Sequence, residues 1–313
     1  MRTTTASRRL LAAAALLPLL ALAACGSDPT IAGAAGASGS AATEDVVSGL
    51  ARSEAAAALL PEEVRSSGVL KFGSSFGAPP SAFYADQSGK KPVGVDVDFT
   101  DAVAKLLGLT VQREDAVFET ILPALDSGKF DVGTGNFGVT TARLKIIDFV
   151  TYIDDGQGFA VKKDNTAIQP ITDLTQLCGL TIGTGAGTTF ETTLNGKKGV
   201  CADAGKKPYE VKAFSEGGAL LTSLQQGRVD VEMSTINGLR HQAAQEAAGT
   251  RFLNEFHRLD VGFAFKKGSK LTPAFQAAVN QLIKDGTYQQ ILKKWGLADS
   301  AIPQSQISPP EHP

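Results

Sequence analysis

An arginine at the end of a loop of small residues is the side chain with the clearest potential for chemistry in this sequence. The loop runs Gly133-Thr134-Gly135-Asn136-Phe137-Gly138-Val139-Thr140-Thr141-Ala142-Arg143. The planar guanidinium of arginine matches a carboxylate through two parallel hydrogen bonds, which the ammonium of lysine cannot do. Because a lone arginine can equally form a surface salt bridge, the interpretation of Arg143 as a carboxylate ligand depends on what lies opposite it.

A second glycine-rich loop is a candidate anion-binding site. Residues 183–187 follow a strand predicted at Leu180-Thr181-Ile182, and Thr188 and Thr189 then open a helix. The glycines alternate and no suitably placed strand-end acid follows, so the spacing is a weak match to a dinucleotide-binding turn. Backbone N–H groups and hydroxyls at a helix N-terminus bind a carboxylate well. A plain strand-to-helix turn is the alternative.

A phrase that occurs twice indicates the elements that position these loops. The two copies are Leu125-Asp126-Ser127-Gly128-Lys129-Phe130-Asp131-Val132 and Leu224-Gln225-Gln226-Gly227-Arg228-Val229-Asp230-Val231. Each is typical of a helix that ends at a glycine and is soon followed by a strand. The repeat predicts two related α/β lobes. Since ligands bind beyond the carboxyl ends of strands in open α/β sheets, functional residues are expected just after each Asp-Val pair.

The order of the predicted elements favours a mostly parallel sheet in each lobe. A strand at 69–73 is followed by a glycine- and proline-rich loop at 74–81, and apolar residues at helical spacing follow between Phe99 and Leu107. A second strand at 109–111 precedes a helix at 118–127. This β-α-β-α-β rhythm is typical of parallel α/β folds.

The N-terminus is typical of a bacterial lipoprotein signal. Arginines precede an apolar run from Leu10 to Ala24, too short for a comfortable membrane span, and Leu22-Ala23-Ala24-Cys25 resembles a lipobox. We expect residues 1–25 to form a signal peptide and Cys25 to be lipidated, with an ordinary cleaved signal as the alternative. No later stretch is apolar enough to cross a membrane. The expected location is extracytoplasmic, with a lipid anchor in the cell membrane.

Composition excludes several classes of function. The chain has 30 basic and 32 acidic residues and a net charge of −2, which argues against nucleic-acid binding. In an oxidising compartment Cys178 and Cys201 predict one disulfide, with two buried thiols as the alternative. No metal site is expected, because His241, His257 and His312 lack ligand spacing and are predicted to be solvated surface groups. No cofactor is expected.

Several motifs occur in a fixed order between about Val64 and Leu297. They are Gly94-Val95-Asp96-Val97-Asp98-Phe99, Ile121-Leu122-Pro123-Ala124-Leu125, Thr140-Thr141-Ala142-Arg143 followed by Asp148-Phe149, Gly187-Thr188-Thr189, and Gly286-Thr287-Tyr288 through Lys294-Trp295-Gly296. Together they resemble the family 3 extracellular solute-binding proteins of polar amino acid ABC importers. Singly they are ordinary; in this order and spacing they are specific.

The resemblance implies a two-lobed periplasmic-binding-protein-like fold, each lobe a mostly parallel sheet flanked by helices. Two crossover strands join the lobes, near Asp154 to Phe159 and near Leu259 to Phe263. The expected division of the chain is a flexible tether and spacer helix at 26–62, lobe 1 at 63–155 plus 262–300, lobe 2 at 156–261, and a C-terminal tail at 301–313.

The resemblance also implies a set of ligand-binding residues. In relatives, the positions matching Arg143 and Thr189 hold the ligand's α-carboxylate, and aromatic residues matching Phe118 and either Phe76 or Phe83 flank its side chain. For Phe83, packing in the core is an equal alternative. The expected site comprises Arg143, Thr189, Thr188, Asn136, Gly138, Phe118, Phe76, Phe83, Gly187, Thr235 and Glu232.

One position departs from the family pattern. Relatives that bind α-amino acids usually carry an aspartate five residues beyond the position of Asp230, where it accepts the ligand's ammonium, and this chain has Thr235 there. A buried ammonium without a carboxylate is costly. Glu232 is a candidate to replace the aspartate and Glu191 a weaker one. Otherwise the ligand lacks a standard α-amino group.

Three classes of function are consistent with this pattern. The first is a monomeric, non-enzymatic protein that captures a small carboxylate-bearing ligand, an amino acid or derivative, and delivers it to ABC permease subunits by hinge closure of the lobes. The second is an enzyme resembling periplasmic cyclohexadienyl dehydratases, which needs a proton-transfer group in the cleft. The third is a ligand-sensing lipoprotein. We expect the first.

Overall fold

The computed structural model describes residues 44–86, 89 and 91–312. The expected signal peptide, Cys25 and the tether at 26–43 lie outside the described residues and stay predictions. None of the described helices is both long and apolar enough to cross a bilayer.

Eight strands form one continuous sheet that runs through both lobes. Its strands are β1 (Val69–Ser74), β4 (Thr110–Asp115), β5 (Val132–Gly138), β6 (Ile147–Lys162), β7 (Thr181–Gly185), β8 (Glu210–Phe214), β9 (Val231–Thr235) and β10 (Thr250–Lys266). Their spatial order is β4-β1-β5-β10-β6-β9-β7-β8. A separate two-stranded sheet pairs β2 (Phe83–Tyr84) with β3 (Pro92–Val93).

The pairing of these strands confirms two parallel lobes joined by two crossover strands. In lobe 1, β1 pairs in parallel with β4 and β5, and in lobe 2, β7 pairs in parallel with β8 and β9. The 16-residue β6 and the 17-residue β10 lie antiparallel to each other between them. Val261 pairs with Gly138 of lobe 1, whereas Gln157 pairs with Thr235 of lobe 2. The lobe boundaries at 155/156 and 261/262 stay predictions within these crossover segments.

Helices cover the sheet in both lobes. They are α1 (Glu54–Ala57), α2 (Glu62–Ser67), α3 (Val95–Leu107), α4 (Phe118–Asp126), α5 (Thr189–Gly196), α6 (Val200–Asp203), α7 (Gly217–Gln225), α8 (Ile236–Ala244), α9 (Thr272–Asp285) and α10 (Thr287–Lys294). Gly128 and Gly227 follow α4 and α7 with φ of 78° and 70°. The repeated phrase is therefore a helix, a left-handed glycine and a strand, as predicted.

Each lobe has its own apolar core. The largest cluster, in lobe 1, includes Phe99, Tyr152, Phe263 and Phe275, and helices α9 and α10 return to it from the end of the chain. A second lobe 1 cluster lies around Ile121, Leu125, Phe137 and Phe149, and lobe 2 is centred on Phe159, Ile182, Val231 and Met233. Cys178 and Cys201 form a disulfide in lobe 2, which confirms the predicted pairing.

Two segments expected to be peripheral pack on lobe 1. Ala56, Ala57 and Leu60 of the expected spacer are buried in the lobe 1 core, because small apolar side chains fit closely against α3 and α9. The tail runs beside β6, where Thr151 N donates to Gln306 O at 3.0 Å. It thereby pairs with backbone groups that a strand edge leaves free.

Candidate functional site

A cavity of about 510 Å³ lies between the lobes, beyond the carboxyl ends of the strands. Its size falls in the range typical of small-molecule sites. Lobe 1 contributes Phe76, Ser81, Phe118, Gly135, Asn136 and Arg143, and lobe 2 contributes Thr188, Thr189, Glu232, Ser234 and Thr235, among others. The two loops that follow the repeated Asp-Val pairs therefore meet at one cavity.

Arg143 is a buried cation without an acidic partner among the residues that the structure describes. It begins a 3₁₀ turn (Arg143–Lys145), is 9% exposed, and donates from Nη1 to Gly138 O at 3.1 Å and from Nη2 to Gly187 O at 3.4 Å. Its guanidinium carbon lies 5.7 Å and 5.5 Å from the rings of Phe118 and Phe137. Burial lowers its pKa to about 10. Among the described residues no carboxylate oxygen lies within 4.0 Å of it, so this end of the cavity can bind an anion.

The N-terminus of α5 lies on the lobe 2 side of the cavity. Thr188 caps the helix, since its Oγ1 accepts from Glu191 N at 3.2 Å and donates to Gly185 O at 2.6 Å. Glu191 accepts from Gly187 N at 2.8 Å and is not a lining residue of the cavity. Thr189 lines the cavity directly. The positive end of the helix dipole thus faces the same space as the Arg143 guanidinium.

Two of the three expected aromatic residues line the cavity. Phe118 stacks on Phe137 with ring centroids 4.5 Å apart, and Phe76 stacks on Tyr84 at 4.7 Å. Phe83 does not line it, because β2 directs this residue to an edge-on contact with Trp295 at 5.9 Å. Of the two alternatives given by sequence, the position of Phe76 is the one that suits ligand contact.

Asn136 is held by two buried acids that the sequence analysis missed. Its φ is 56°, its N–H donates to Asp96 Oδ2 at 3.1 Å, and its Nδ2 donates to Asp155 Oδ2 at 2.8 Å. Asp155 also accepts from Asn237 N of lobe 2 at 3.1 Å. Burial raises the pKa of Asp96 to about 6 and that of Asp155 to about 7. The Asn136 amide therefore belongs to a network that links the lobes at the crossover.

A buried carboxylate, Glu232, lies in the lobe 2 wall of the cavity. Glu232 is 5% exposed, and its Oε2 accepts from Gln242 Nε2 at 2.8 Å. Burial raises its pKa to about 7. Thr235, where relatives carry an aspartate, caps α8 by accepting from Gly238 N at 3.0 Å. Both residues line the cavity.

The lobes are in contact across the cleft. Ser215 Oγ donates to Glu119 Oε1 at 2.6 Å, and Arg143 reaches Gly187. A Cβ built on Gly187, whose φ is 69°, would lie 2.6 Å from Glu119 Cβ. The glycine therefore permits a close approach of the two lobes.

The family of the chain follows from this fold, this cavity and comparison with known proteins. The family model of the bacterial extracellular solute-binding proteins, family 3, matches residues 70–298. The chain belongs to this family. The finding confirms the resemblance that the motifs indicated.

Individual family members and solved structures agree with this assignment. The chain is 30% identical to the arginine-binding protein ArgT of Corynebacterium glutamicum over 258 residues, 80% of this chain and 82% of that protein. An ancestral arginine-binding protein bound to arginine is 34% identical, with a TM-score of 0.65, covering 73% of this chain and 98% of the other. The ancestral amino acid-binding protein AncCDT-1, a precursor of cyclohexadienyl dehydratase, is 28% identical with the same TM-score of 0.65, covering 75% and 98%.

Most residues expected at the site of this family member lie together. Arg143, Thr188, Thr189, Asn136, Phe118, Phe76, Thr235 and Glu232 line the cavity. Gly138 and Gly187 instead accept hydrogen bonds from Arg143 through their carbonyl oxygens.

A group of lining residues from lobe 2 was not foreseen. It consists of Leu220, Leu221, Ser234, His241, Gln242, Gln245, Ala247 and Ala248. The prediction that all histidines are solvated surface groups is wrong for His241, which lines the cavity and whose pKa is lowered by burial. His241 lines the cavity because α8 lies beside the cleft. The only sequence signal for this position is the polar, amphipathic pattern of that helix.

Proposed function

We propose that this protein captures a small ligand bearing a carboxylate, an amino acid or a derivative, and delivers it to the permease subunits of an ABC importer. The observation that carries the proposal is the buried Arg143 guanidinium, which faces the cavity without a carboxylate partner in the described part of the chain. A buried charge is costly unless it is paired. The carboxylate of the ligand supplies that pair.

The proposed binding sequence begins on lobe 1 and ends with closure. Arg143 forms two parallel hydrogen bonds with the carboxylate, and Phe118 and Phe76 flank the rest of the ligand. Lobe 2 then brings Thr189 and the N-terminus of α5 to the same carboxylate. Because these contacts exist together only in the closed state, ligand binding shifts the equilibrium between open and closed forms.

A thermal-shift screen of the purified protein tests this proposal. The compounds are α-amino acids, their decarboxylated amines and their deaminated acids. A compound at about 100 times its Kd adds about 2.7 kcal/mol of stability, which raises Tm by about 5 to 10 °C for a protein of this size. Compounds with a carboxylate should raise Tm and the amines should not. If amines raise Tm as much as the parent acids, the carboxylate site is refuted.

The same screen tests whether the ligand carries an α-ammonium, given the uncharged Thr235 in place of the usual aspartate. A Tm shift with α-amino acids means that groups other than an aspartate accept the ammonium. A shift confined to the deaminated acids means that Thr235 marks a site for ligands without that ammonium.

We also propose that Cys25 is lipidated and anchors the mature protein outside the cytoplasm, with the tether spacing the lobes from the membrane. The apolar run ending in Leu22-Ala23-Ala24-Cys25 supports this arrangement. Cys25→Ser should release the protein into the soluble extracytoplasmic fraction. Retention of the Cys25→Ser variant in the membrane fraction refutes lipid anchoring at this residue.

A cyclohexadienyl-dehydratase-like enzyme is the second candidate. The observation that favours it is Glu232, a carboxyl group in the cavity whose pKa burial raises to about 7, which suits a general acid. The likeness to AncCDT-1 adds to it. Mass spectrometry of a bound cyclohexadienol carboxylate after incubation decides between the two, because a binding protein returns it unchanged and a dehydratase of this kind returns it without one water and one carbon dioxide.

A further inference from the structure

The cavity has a second end, inside lobe 2, that the proposed carboxylate site does not use. Residues of α7, of α8 and of a 3₁₀ turn (Glu246–Ala248) surround it. The walls of this lobe 2 arm include Leu220, Leu221, Gln242, Gln245, Ala247 and Ala248. Apolar side chains and aliphatic stems of this kind suit a ligand segment built of methylene groups.

Glu232 is the acidic group of the lobe 2 arm in the described residues, and His241 lines the same part of the cavity. Glu232 is 5% exposed and accepts a hydrogen bond from Gln242 Nε2 at 2.8 Å. In the described ranges no nitrogen of lysine, arginine or histidine lies within 4.0 Å of its carboxylate. A neutral residue would cost less at this buried position. The carboxylate is therefore suited to a positive group that arrives with the ligand.

The strand register separates Glu232 from Arg143. Glu232 lies beside Gly183 in the pairing of β7 with β9, whereas Arg143 contacts Gly187, farther along the chain. Two steps along a strand and one step between strands already place the two backbones about 8 Å apart. The Glu232 carboxylate bonds to Gln242, in the second turn of α8, rather than to a residue of the Arg143 end.

This separation decides which group of the ligand can reach Glu232. The α-ammonium nitrogen of an amino acid is only two bonds, about 2.5 Å, from its carboxylate carbon. A ligand whose carboxylate binds Arg143 therefore keeps its α-ammonium at the Arg143 end of the cavity. A group about four or five bonds along its side chain extends into the lobe 2 arm, where the Glu232 carboxylate bonds to Gln242.

We propose that the lobe 2 arm binds the distal cation of an elongated ligand, with Glu232 as its charge acceptor and Gln242 holding the carboxylate in place. This inference rests on the proposed carboxylate site at Arg143. It assigns Glu232 as the residue that selects side chains ending in a guanidinium or ammonium over neutral side chains of the same length.

Two matched pairs of compounds test the assignment by isothermal titration calorimetry on the purified protein. Arginine is compared with citrulline, which has a neutral urea in place of the guanidinium, and lysine with norleucine, which lacks the distal ammonium. We expect the cationic member of at least one pair to bind at least tenfold more tightly, as loss of a charge-assisted hydrogen bond implies. Glu232→Gln should remove that preference and change affinity for the neutral member by less than about threefold.

Control variants separate a local effect from a general one. Glu210→Gln removes the same charge from an exposed position of the same lobe, outside the cavity lining, so the preference should persist. Glu232→Asp keeps the charge but shortens its reach, and an intermediate preference is expected. It also serves as the test variant if Glu232→Gln does not fold.

The wild-type protein offers a readout that needs no variant. Burial raises the pKa of Glu232 to about 7, so arginine should bind about tenfold more tightly at pH 8 than at pH 6, as the carboxyl ionises. Arg143 and His241 are the other ionisable side chains along the cavity in the described residues. The effect of Arg143 is shared by citrulline, whose affinity should change little over the same range. Protonated His241 would also disfavour arginine, so the same titration is made with Glu232→Gln, in which the pH dependence should be lost.

The outcomes distinguish this inference from the proposed function. Equal affinity within both pairs, or a cation preference that survives Glu232→Gln, overturns the assignment of Glu232 and leaves the carboxylate site intact. If other carboxylates bind but none of these four compounds does, the assignment of Glu232 is overturned and the carboxylate site at Arg143 stands. If no carboxylate in the wider screen binds, both the site at Arg143 and the arm are refuted.

Discussion

Replacing Arg143 by methionine should abolish tight ligand binding while leaving the ligand-free protein folded. The variant keeps a side chain of similar length and removes the N–H groups that face the cavity. A charge-assisted hydrogen bond contributes about 1.5 to 3 kcal/mol, so the loss of even one weakens binding about 10- to 150-fold. Arg143→Lys keeps the charge but not the paired geometry and should bind with intermediate affinity.

The stability of the ligand-free variant gives a second, independent magnitude. Burial lowers the Arg143 pKa from 12.5 to about 10, which corresponds to a penalty of about 3 kcal/mol on the charged form at all pH values below 10. The bonds to the carbonyl oxygens of Gly138 and Gly187 offset about 2 kcal/mol of this penalty. Without ligand, the Tm of Arg143→Met should therefore equal or slightly exceed that of the wild type.

Arg113 provides the matched control. It pairs with Asp101 at 2.6 Å outside the cavity. Arg113→Met should lower Tm, because it leaves a carboxylate without its partner, and should leave affinity unchanged. Calorimetric titration with a compound from the screen and thermal unfolding measure both quantities. Wild-type affinity in Arg143→Met refutes the reasoning, since the carboxylate must then bind elsewhere.

Three further changes probe closure, the disulfide and the buried acid. Gly187→Ala should weaken binding at least tenfold, because its Cβ would lie 2.6 Å from a lobe 1 side chain, whereas Gly227→Ala shares the positive φ but meets nothing within 4 Å and should leave affinity intact. Replacing Cys178 and Cys201 by serine removes a link across 23 residues and should lower stability by about 3 kcal/mol, seen as a fall in Tm of about 6 to 12 °C. Glu232→Gln should raise the Tm of the ligand-free protein at pH 8 but not at pH 4. Its folded pKa of about 7 exceeds the ordinary glutamate value of 4.5, so the ionised form is penalised only as pH rises through that window.

The parts of the site that could be predicted are those encoded over a short stretch of chain. Arg143 follows its strand through one loop, and Thr188 and Thr189 open a helix directly after another, so the sequence places each at a strand end. The repeated phrase predicted the parallel lobes for the same reason. That Arg143 and Thr189 lie at the same cavity follows only from the topology, because it brings both loops to one cleft.

The lobe 2 arm could not be predicted because it is a product of packing between elements. His241 and Gln242 lie on a helix whose polar pattern is equally typical of a solvent-facing surface. They line the cavity only because α8 lies against β9 and the crossover strands. Likewise Asp96 and Asp155 are far apart in sequence, and Asn136 joins them only after the sheet has formed.

The electrostatics of the cavity explain why selectivity can arise from penalties rather than from strong attraction. Arg143 at one end and Glu232 at the other are both buried, and within the described chain neither has an oppositely charged partner. A ligand with a carboxylate and a distal cation at matching separation compensates both charges when the lobes close. A ligand with only one of these groups leaves the opposite charge buried and uncompensated. Discrimination against such ligands then comes from the unmatched charge in the closed state, which shifts the protein back toward the open form.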